Sequence, residues 1–209
     1  MPAVIQSLMN SLSGMVMTFA INEFGVTAMA GNTAYAKLDS IFWMISTAFS
    51  VTTATFVAQN IGAGQKDRMK KGIRICFLFD FVLSGMLSLF FLIFGGKLFY
   101  LFTNDESVIL AGVQVLKAIA PYYAIVALYE ITSSALRGIG YVIVPMIINI
   151  VGLCGLRIAW VYLIPSFIPE LDSLYGVILS CPVSWAFTAV ATCVCYAIKM
   201  KKFDKFTDC

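Results

Sequence analysis

Long apolar runs alternate with short polar breaks along this chain, and each run is close to the length of a membrane span. About 20 predominantly apolar residues cross a bilayer as a helix. Because hydrocarbon offers no partner for backbone N–H and C=O groups, every span is expected to be helical. The pattern predicts an all-α membrane protein, a single six-helix transmembrane bundle over residues 1–209, with helices at about 3–22, 33–58, 73–95, 108–134, 141–164 and 174–198.

The predicted breaks have the chemistry of helix ends. Glycine and proline interrupt helices, and short polar side chains cap the free amides of a helix that follows them. We expect Thr103–Ser107 to form a loop and begin a helix. We expect the other four breaks to end helices, at Asn22–Gly25, Gly95–Gly96, Gly138–Gly140 and Pro165–Pro169.

The composition excludes an ordinary water-soluble domain. Hydrophobic residues make up 60% of the chain and charged residues only 12%, whereas soluble domains carry about 25% charged residues. The chain has six cysteines and no histidine, with no CxxC pair, so no metal site is expected. No nucleophile–base pair is visible either, so we expect neither an enzyme nor a bound cofactor.

The positions of the cations indicate an orientation. Ten lysines and arginines fall in the second and fourth loops and the C-terminal tail, whereas one, Lys97, falls on the other side. Basic loops stay in the cytoplasm, so the pattern predicts a multi-pass protein of the cell membrane with both termini cytoplasmic. Five of the ten follow Gly62–Gly64 closely, but no phosphate-binding glycine motif is completed there, and a nucleic-acid partner is not expected.

Six ionisable residues lie inside the predicted spans, where a charge is costly and marks a functional or paired group. Besides Glu130, we interpret them as an intramembrane charge network of Lys37, Asp39, Asp80, Lys117 and Arg157. Asp39 is expected to pair with Lys117 or Arg157 at a matching depth, since an unpaired charge in the membrane is costly. Arg157 could instead satisfy backbone carbonyls.

Polar residues also recur at helical spacing on three spans, which places each set on one helix face. The sets are Ser7, Asn10, Gly14 and Thr18; Asp39, Trp43, Ser46, Ser50 and Thr53; and Tyr123, Ala127, Glu130, Ser134 and Arg137. Helix packing explains much of the serine and threonine content. Asn10 and Glu130 exceed what packing needs, and they favour a water-filled cavity.

Glu130 is the leading candidate for a functional carboxylate. Arg137 lies seven residues further along, about 10 Å away along the helix axis, which is too far for a strong pair unless both side chains bend. A carboxylate without a close cation suits reversible proton binding, although Ser134 and Arg137 could simply hold it at the cytoplasmic mouth. The candidates for binding substrate or coupling ion are Glu130, Asn10, Asp39 and Tyr123.

Four motifs in this order and spacing resemble the multidrug and toxic compound extrusion (MATE) transporters. They are VAQNIGAG at 57–64, LFTND at 101–105, ALRGIGYVIVP at 135–145 and CGLRIAW at 154–160. The resemblance covers nearly the whole chain. It implies a twelve-helix, inverted-V fold made of two six-helix lobes, of which this chain is the C-terminal lobe. The N-terminal lobe is expected to be absent from these 209 residues.

The resemblance implies half of a secondary antiporter that exports organic, often cationic or aromatic, compounds in exchange for Na⁺ or H⁺. Asp39 occupies the family's basic-x-acidic position, here Lys37-Leu38-Asp39. The first helix carries no acid before Glu23, so the coupling ion stays unassigned. The family's two cytoplasmic loop motifs would be structural, and here they comprise Gln59, Asn60, Gly62, Gly64, Arg137, Gly138 and Gly140.

Two other functions stay open. The chain could be a non-transporting fragment or an accessory membrane subunit, because it corresponds to a single lobe. It could also belong to a lipid-linked oligosaccharide flippase, although such a cavity would want more cations. The expected partners are the lipid bilayer, a small organic substrate, and either the missing lobe or a second copy of the chain; the source is expected to be bacterial.

The orientation is testable with single cysteines in a cysteine-free background. A membrane-impermeant maleimide should label a cysteine at Ser173 from outside the cell and leave a cysteine at Lys71 unlabelled, because only the first position faces outward. The reverse labelling pattern would overturn the predicted orientation.

Overall fold

A computed structural model describes residues 2–167 and 173–207, with side chains over 4–163 and 173–203. Eight α-helices occur in this part of the chain: α1 Pro2–Asn22, α2 Val26–Gly62, α3 Lys66–Phe99, α4 Glu106–Ile119, α5 Tyr123–Ile139, α6 Ile143–Asn149, α7 Leu156–Phe167 and α8 Leu174–Thr207. A 3₁₀ turn, Ala120–Tyr122, joins α4 to α5. A π-helical turn, Ile150–Gly155, joins α6 to α7.

These elements form six candidate membrane spans, as the hydrophobic pattern predicts. Each of α1, α2, α3 and α8 is a span, α4 with α5 makes a fourth span over Glu106–Ile139, and α6 with α7 a fifth over Ile143–Leu163. Pro121 lies in the 3₁₀ turn between α4 and α5. Proline lacks the N–H that an α-helix would use, so the span changes its winding there without ending.

Several helices run past their predicted ends. The second helix begins at Val26 rather than near residue 33, because only Glu23–Gly25 interrupt it. Gly95–Gly96 does not end α3, which continues to Phe99. Gly95 is instead a contact point, since a Cβ there would collide with the side chain of Leu116. The predicted break at Pro165–Pro169 lies partly outside the described residues.

The two glycine-rich motifs end their helices with the same hydrogen bonds. At the end of α2, the Gln65 N–H donates to the Asn60 carbonyl at 2.8 Å, and the Gly64 N–H donates to Ile61. At the end of α5, Tyr141 and Gly140 repeat these two bonds. Gly64 and Gly140 have φ values of 68° and 104°, which only glycine adopts without strain. Both motifs are therefore Schellman-type helix ends.

The five cations that follow Gly62–Gly64 lie in a helix rather than in the predicted loop. We expected these cations to occupy a loop, but they lie on the first turns of α3, which begins at Lys66. The chain between α2 and α3 is only residues 63–65. The Schellman-type end reverses the chain within these residues, so little loop remains to carry charge. The cations still mark the same end of the bundle, which is called the basic end below.

The loop at 100–105 ends in the predicted helix cap. The Ser107 hydroxyl and N–H both donate to the Asp105 carboxylate, at 2.6 and 2.9 Å. These bonds hold the pKa of Asp105 below its usual value. The cap therefore stabilises α4 at neutral pH and loses this contribution as the pH falls through the folded pKa.

Helices α2 and α5 lie side by side at the centre of the bundle. Buried aromatic residues fill the half away from the basic end, and a smaller cluster around Val57 and Ile131 fills the half near it. Large side chains on the outer faces, such as Phe19, Met86 and Ile93, are exposed. In a membrane-spanning bundle these faces contact lipid, so their exposure fits the six apolar spans.

Gly138 allows a close approach between α2 and α5 and gives a test of the packing. A Cβ at Gly138 would lie 2.7 Å from the Ala54 carbonyl oxygen and from Val57. Gly138→Ala should destabilise the bundle by about 1–3 kcal/mol through overpacking, seen as a lower melting temperature in detergent. Gly85 on α3 has open space around it, so Gly85→Ala is the matched control. Equal melting temperatures for the two variants would contradict this account of the packing.

Candidate functional site

A cavity of about 270 Å³, called the inner cavity below, lies inside the bundle between α1, α2, α5, the π turn, α7 and α8. Gln6 and Asn10 line it from α1, and Asn10 is exposed, as expected for a residue on a cavity wall. Glu130 lines it from α5, and Arg157 from α7. Two of the ionisable residues singled out by the sequence therefore lie on one cavity, together with the amide of Asn10.

Three aromatic side chains also line this cavity. Trp43 and Trp185 meet edge to face, with ring centroids 6.4 Å apart. Tyr129 is fully buried and also lines the cavity. Its hydroxyl has no hydrogen-bond partner among the described residues. The cavity therefore combines flat apolar surfaces with a free hydrogen-bonding group.

Asp39 has hydroxyl and indole partners rather than the expected cation. The Tyr123 hydroxyl donates to Asp39 Oδ1 at 2.7 Å, and Trp43 Nε1 donates to Oδ2 at 2.9 Å. Within the described part of the chain, no salt bridge joins Asp39 to Lys117 or Arg157. The described residues thus show no direct salt bridge at Asp39, although the charge of Arg157 acts on this carboxylate through space. Neutral donors satisfy both carboxylate oxygens without the burial of a second charge.

An aromatic cluster holds Tyr123 in place for this contact. Phe42 stacks on the Tyr123 ring at 3.9 Å between centroids with an interplanar angle of 7°. The Tyr35 hydroxyl lies 3.5 Å from the Tyr123 hydroxyl. Tyr123 and Phe42 are both almost completely buried. Tyr123, predicted as a substrate or ion ligand, instead positions Asp39 from inside the core.

Glu130 has a close cation, contrary to the expectation from helical rise. Arg137 Nη2 lies 4.0 Å from Glu130 Oε2. The same nitrogen donates to Ser50 at 3.0 Å and to Ser134 at 2.7 Å, and Ser50 donates to Glu130 at 2.9 Å. Residues seven apart share a helix face, and helical side chains lean toward the N-terminus, so Arg137 reaches back toward Glu130. We call these four residues the α2–α5 polar network.

A second cavity, of about 260 Å³, lies against the other side of this network. Arg137 and Ser50 line it together with Val142 and Met146. Gln6 lines both cavities. The α2–α5 polar network and Gln6 therefore stand between the inner cavity and a cavity toward the basic end.

Arg157 lines the inner cavity with few close partners. Its two terminal nitrogens lie 3.4 Å from the hydroxyls of Ser13 and Ser184. Its Nε is buried and has no hydrogen-bond partner within the described residues. Arg157 donates no hydrogen bond to a backbone carbonyl among the described residues, so the alternative role considered for it is not seen there.

The other members of the expected charge network do not join this site. Lys37 is exposed and lines a cavity of about 630 Å³ that also contains Asp105. Lys117 is exposed beside a separate cavity of about 480 Å³. Asp80 is fully buried on α3, accepts a 3.4 Å hydrogen bond from Ser84, and has one unpartnered oxygen. The charges thus serve several regions rather than one network.

Comparison with known proteins assigns this architecture. A family model described as MatE matches residues 2–163. The chain belongs to the MatE family. Its resemblance to MATE transporters is therefore confirmed, and relatives that carry multidrug-resistance names support the same assignment.

The relatives are about twice as long as this MatE chain. The probable multidrug resistance protein YoeA of Bacillus subtilis is 24% identical over 201 residues, which are 96% of this chain and 43% of YoeA. The FAD transporter of Shewanella oneidensis is 25% identical over 202 residues, with the same two coverages. A solved outward-facing MATE family transporter superimposes with a TM-score of 0.83 at 17% identity, covering 91% of this chain and 42% of that one. The chain thus spans less than half of each.

The pattern analysis of this MatE chain missed several cavity residues. Trp185, Tyr129 and Gln6 were not among the candidates, yet all three line the inner cavity. A signal for Trp185 was present, since Cys181, Ser184, Trp185, Thr188 and Thr192 recur at helical spacing on α8 and are buried. Tyr129 and Gln6 do not belong to the sets of polar residues at helical spacing. Their place on the cavity wall could therefore be seen only in the packed bundle.

Removal of a single hydroxyl tests the Asp39 contact. Tyr123→Phe should keep the stack on Phe42 but leave Asp39 Oδ1 without its donor. Loss of a hydrogen bond to a buried charged group costs about 1.5–3 kcal/mol, so the melting temperature in detergent should fall. Tyr122→Phe is the matched control because the Tyr122 hydroxyl makes no hydrogen bond to the residues that the structure describes. An unchanged melting temperature for Tyr123→Phe would mean that the bond contributes nothing to stability.

Proposed function

We propose that this chain forms one half of a secondary antiporter that exports organic, often cationic or aromatic, compounds in exchange for Na⁺ or H⁺. The observation that carries the proposal is the inner cavity, which Glu130 lines together with Trp43, Tyr129 and Trp185. Small-molecule sites combine aromatic and apolar surfaces with a few placed polar groups, and this cavity has both, with a larger polar share than is usual. The space between the helices of a bundle is a common place for such sites.

The α2–α5 polar network supplies a means of coupling. Glu130 is held by Ser50 and by the charge of Arg137. A proton, a sodium ion or a cationic group bound to Glu130 would neutralise the carboxylate charge with which Arg137 pairs. Arg137 and Ser50 would then be free to rearrange between the two cavities. A transport cycle needs such an exchange, because a ligand shifts an equilibrium only by its differential affinity for two states.

The other half of the transporter would come from a second lobe. The relatives are about twice as long, and the chain covers 43% of YoeA. Substrate sites of repeat-built transporters lie at the interface between repeats, so this half would supply one wall. A second copy of the chain could take the same place if no other lobe accompanies it.

The cell membrane is the proposed location, with the basic end in the cytoplasm. The first turns of α3 carry Lys66, Arg68, Lys70 and Lys71, and the last turns of α8 carry further lysines at the same end. Lysine and arginine on cytoplasmic segments favour this orientation. The α2–α5 polar network would then separate the inner cavity from the cytoplasmic side.

Two other functions make different demands on the same structure. A flippase for lipid-linked oligosaccharides would need a cavity rich in cations and large enough for a sugar chain. The inner cavity measures about 270 Å³ and contains Glu130, which favours a small organic compound. An accessory subunit would need no cavity residues at all, and substitution of Glu130 separates this alternative from transport.

Glu130→Gln tests the proposal in cells that express the natural reading frame of the protein. The variant should abolish efflux of a fluorescent dye from energised cells, because glutamine cannot exchange a proton or bind a cation as glutamate does. Glu106→Gln is the matched control, since Glu106 is exposed at the start of α4. Membrane levels of both variants are measured by immunoblot.

The outcomes of this experiment are distinct. Loss of efflux in Glu130→Gln at normal membrane levels, with Glu106→Gln active, supports the antiporter. Wild-type efflux in Glu130→Gln would return Glu130 to a structural role. No efflux from the unmodified protein with any dye or gradient would favour the accessory subunit.

A further inference from the structure

Two buried hydrogen-bond donors, which have no partner among the described residues, belong to side chains that line the inner cavity. They are the Nε–H of Arg157 and the hydroxyl of Tyr129. We propose that the cavity binds the carboxylate of a small aromatic acid, with Arg157 as its anchor. This inference rests on the proposed transport function and names a class of compound for it, an organic anion.

Arg157 has donors to spare. A guanidinium carries five N–H groups in a planar fork that matches a carboxylate. Two of its nitrogens reach serine hydroxyls at 3.4 Å, beyond the usual range of strong hydrogen bonds, and Nε reaches none. A buried donor left unsatisfied is costly. A carboxylate in the cavity would accept from the fork and remove this cost.

The acids nearest to the cavity are already engaged. Both oxygens of Asp39 accept bonds, from Tyr123 and from Trp43. Glu130 is paired with Arg137 and accepts a bond from Ser50. Arg157 is the cation among the residues that line this cavity, and it makes no salt bridge within the described residues, although its charge acts on Asp39 through space. An anionic ligand complements this wall, whereas a cation would face the guanidinium.

The shape of the cavity selects a planar and small ligand. Trp43, Trp185 and Tyr129 provide ring surfaces, with the two indoles 6.4 Å apart. Drug-sized ligands fill pockets of about 300–1,000 Å³, so a cavity of about 270 Å³ suits a single ring with an acidic group. Tyr129 is fully buried, and its hydroxyl would donate to the second carboxylate oxygen or to a ring substituent.

The test measures binding rather than transport. The purified 209-residue chain in lipid nanodiscs is titrated calorimetrically with benzoate, with its neutral isostere benzamide and with benzylammonium. Benzoate should bind at least 10-fold more tightly than either of the other two. Charged hydrogen bonds contribute about 1.5–3 kcal/mol, which corresponds to an affinity ratio of about 10–100.

Variants assign the affinity to named groups. Arg157→Gln should weaken benzoate binding about 10–100-fold and leave benzamide unchanged. Arg157→Lys keeps the charge but loses the fork, so benzoate should weaken by a smaller factor. Tyr129→Phe should weaken benzoate only about 2–10-fold, because it removes one neutral donor. Lys117→Gln is the control: Lys117 is a cation on another span that lines a different cavity.

Each result decides the proposal. Benzoate selectivity that disappears in Arg157→Gln, and not in Lys117→Gln, supports an anion site. If Arg157→Gln alters the helical circular dichroism, Arg157→Lys and Tyr129→Phe carry the test. Equal binding of the three compounds, or no binding by a folded chain, would overturn it and leave a water-filled cavity. Dye efflux that depends on Glu130 would survive such a result, so failure here is distinguishable from failure of the transport function.

Discussion

Polar side chains inside the spans must find a partner in the protein or line a cavity, because hydrocarbon offers them neither water nor ions. This constraint arranges the lobe. Serine and threonine residues turn back to their own helices, as Thr33, Thr52 and Thr132 do. Longer polar side chains cannot, so they meet across the helices. The core of the lobe therefore contains short-range polar contacts within an apolar bundle. At the inner cavity, the Tyr129 hydroxyl and Arg157 Nε have no hydrogen-bond partner among the described residues.

The contact between α2 and α5 combines packing with chemistry. Gly138 lets the two backbones approach closely, and this approach brings the hydroxyls of Ser50 and Ser134 to 2.5 Å from each other. Arg137 then bonds to both hydroxyls, and its charge reaches Glu130. A glycine motif that ends a helix thus also fixes an arginine within reach of a carboxylate. Structural and functional roles of the motif around Arg137 are not separable on physical grounds.

The sequence was sufficient for the fold because span length and hydrophobicity are local properties. It also predicted a capped helix start within Thr103–Ser107 and a helix break at Gly138–Gly140, where side-chain or backbone chemistry acts over a few residues. The sequence did not predict which side chains contact each other across the helices. Asp39 has two oxygens satisfied by Tyr123 and Trp43, although equal depth suggested a cation, since depth alone says nothing about which helix faces meet. Likewise, axial rise placed Arg137 too far from Glu130 because it ignores the direction in which side chains lean.

The two arginines of the site divide the electrostatics between them. Arg137 donates hydrogen bonds to two serines and pairs with the charge of Glu130. The wall toward the basic end is therefore close to neutral. Arg157 makes no salt bridge among the described residues, and its hydrogen bonds to Ser13 and Ser184 are long. A ligand carboxylate at Arg157 and a cation at Glu130 would share one cavity and attract each other there. Binding of either would then favour binding of the other, which is positive coupling. An antiporter must instead release one ligand as it binds the other. Strict exchange therefore requires that the second lobe, or a change of conformation, prevents both sites from being filled at once.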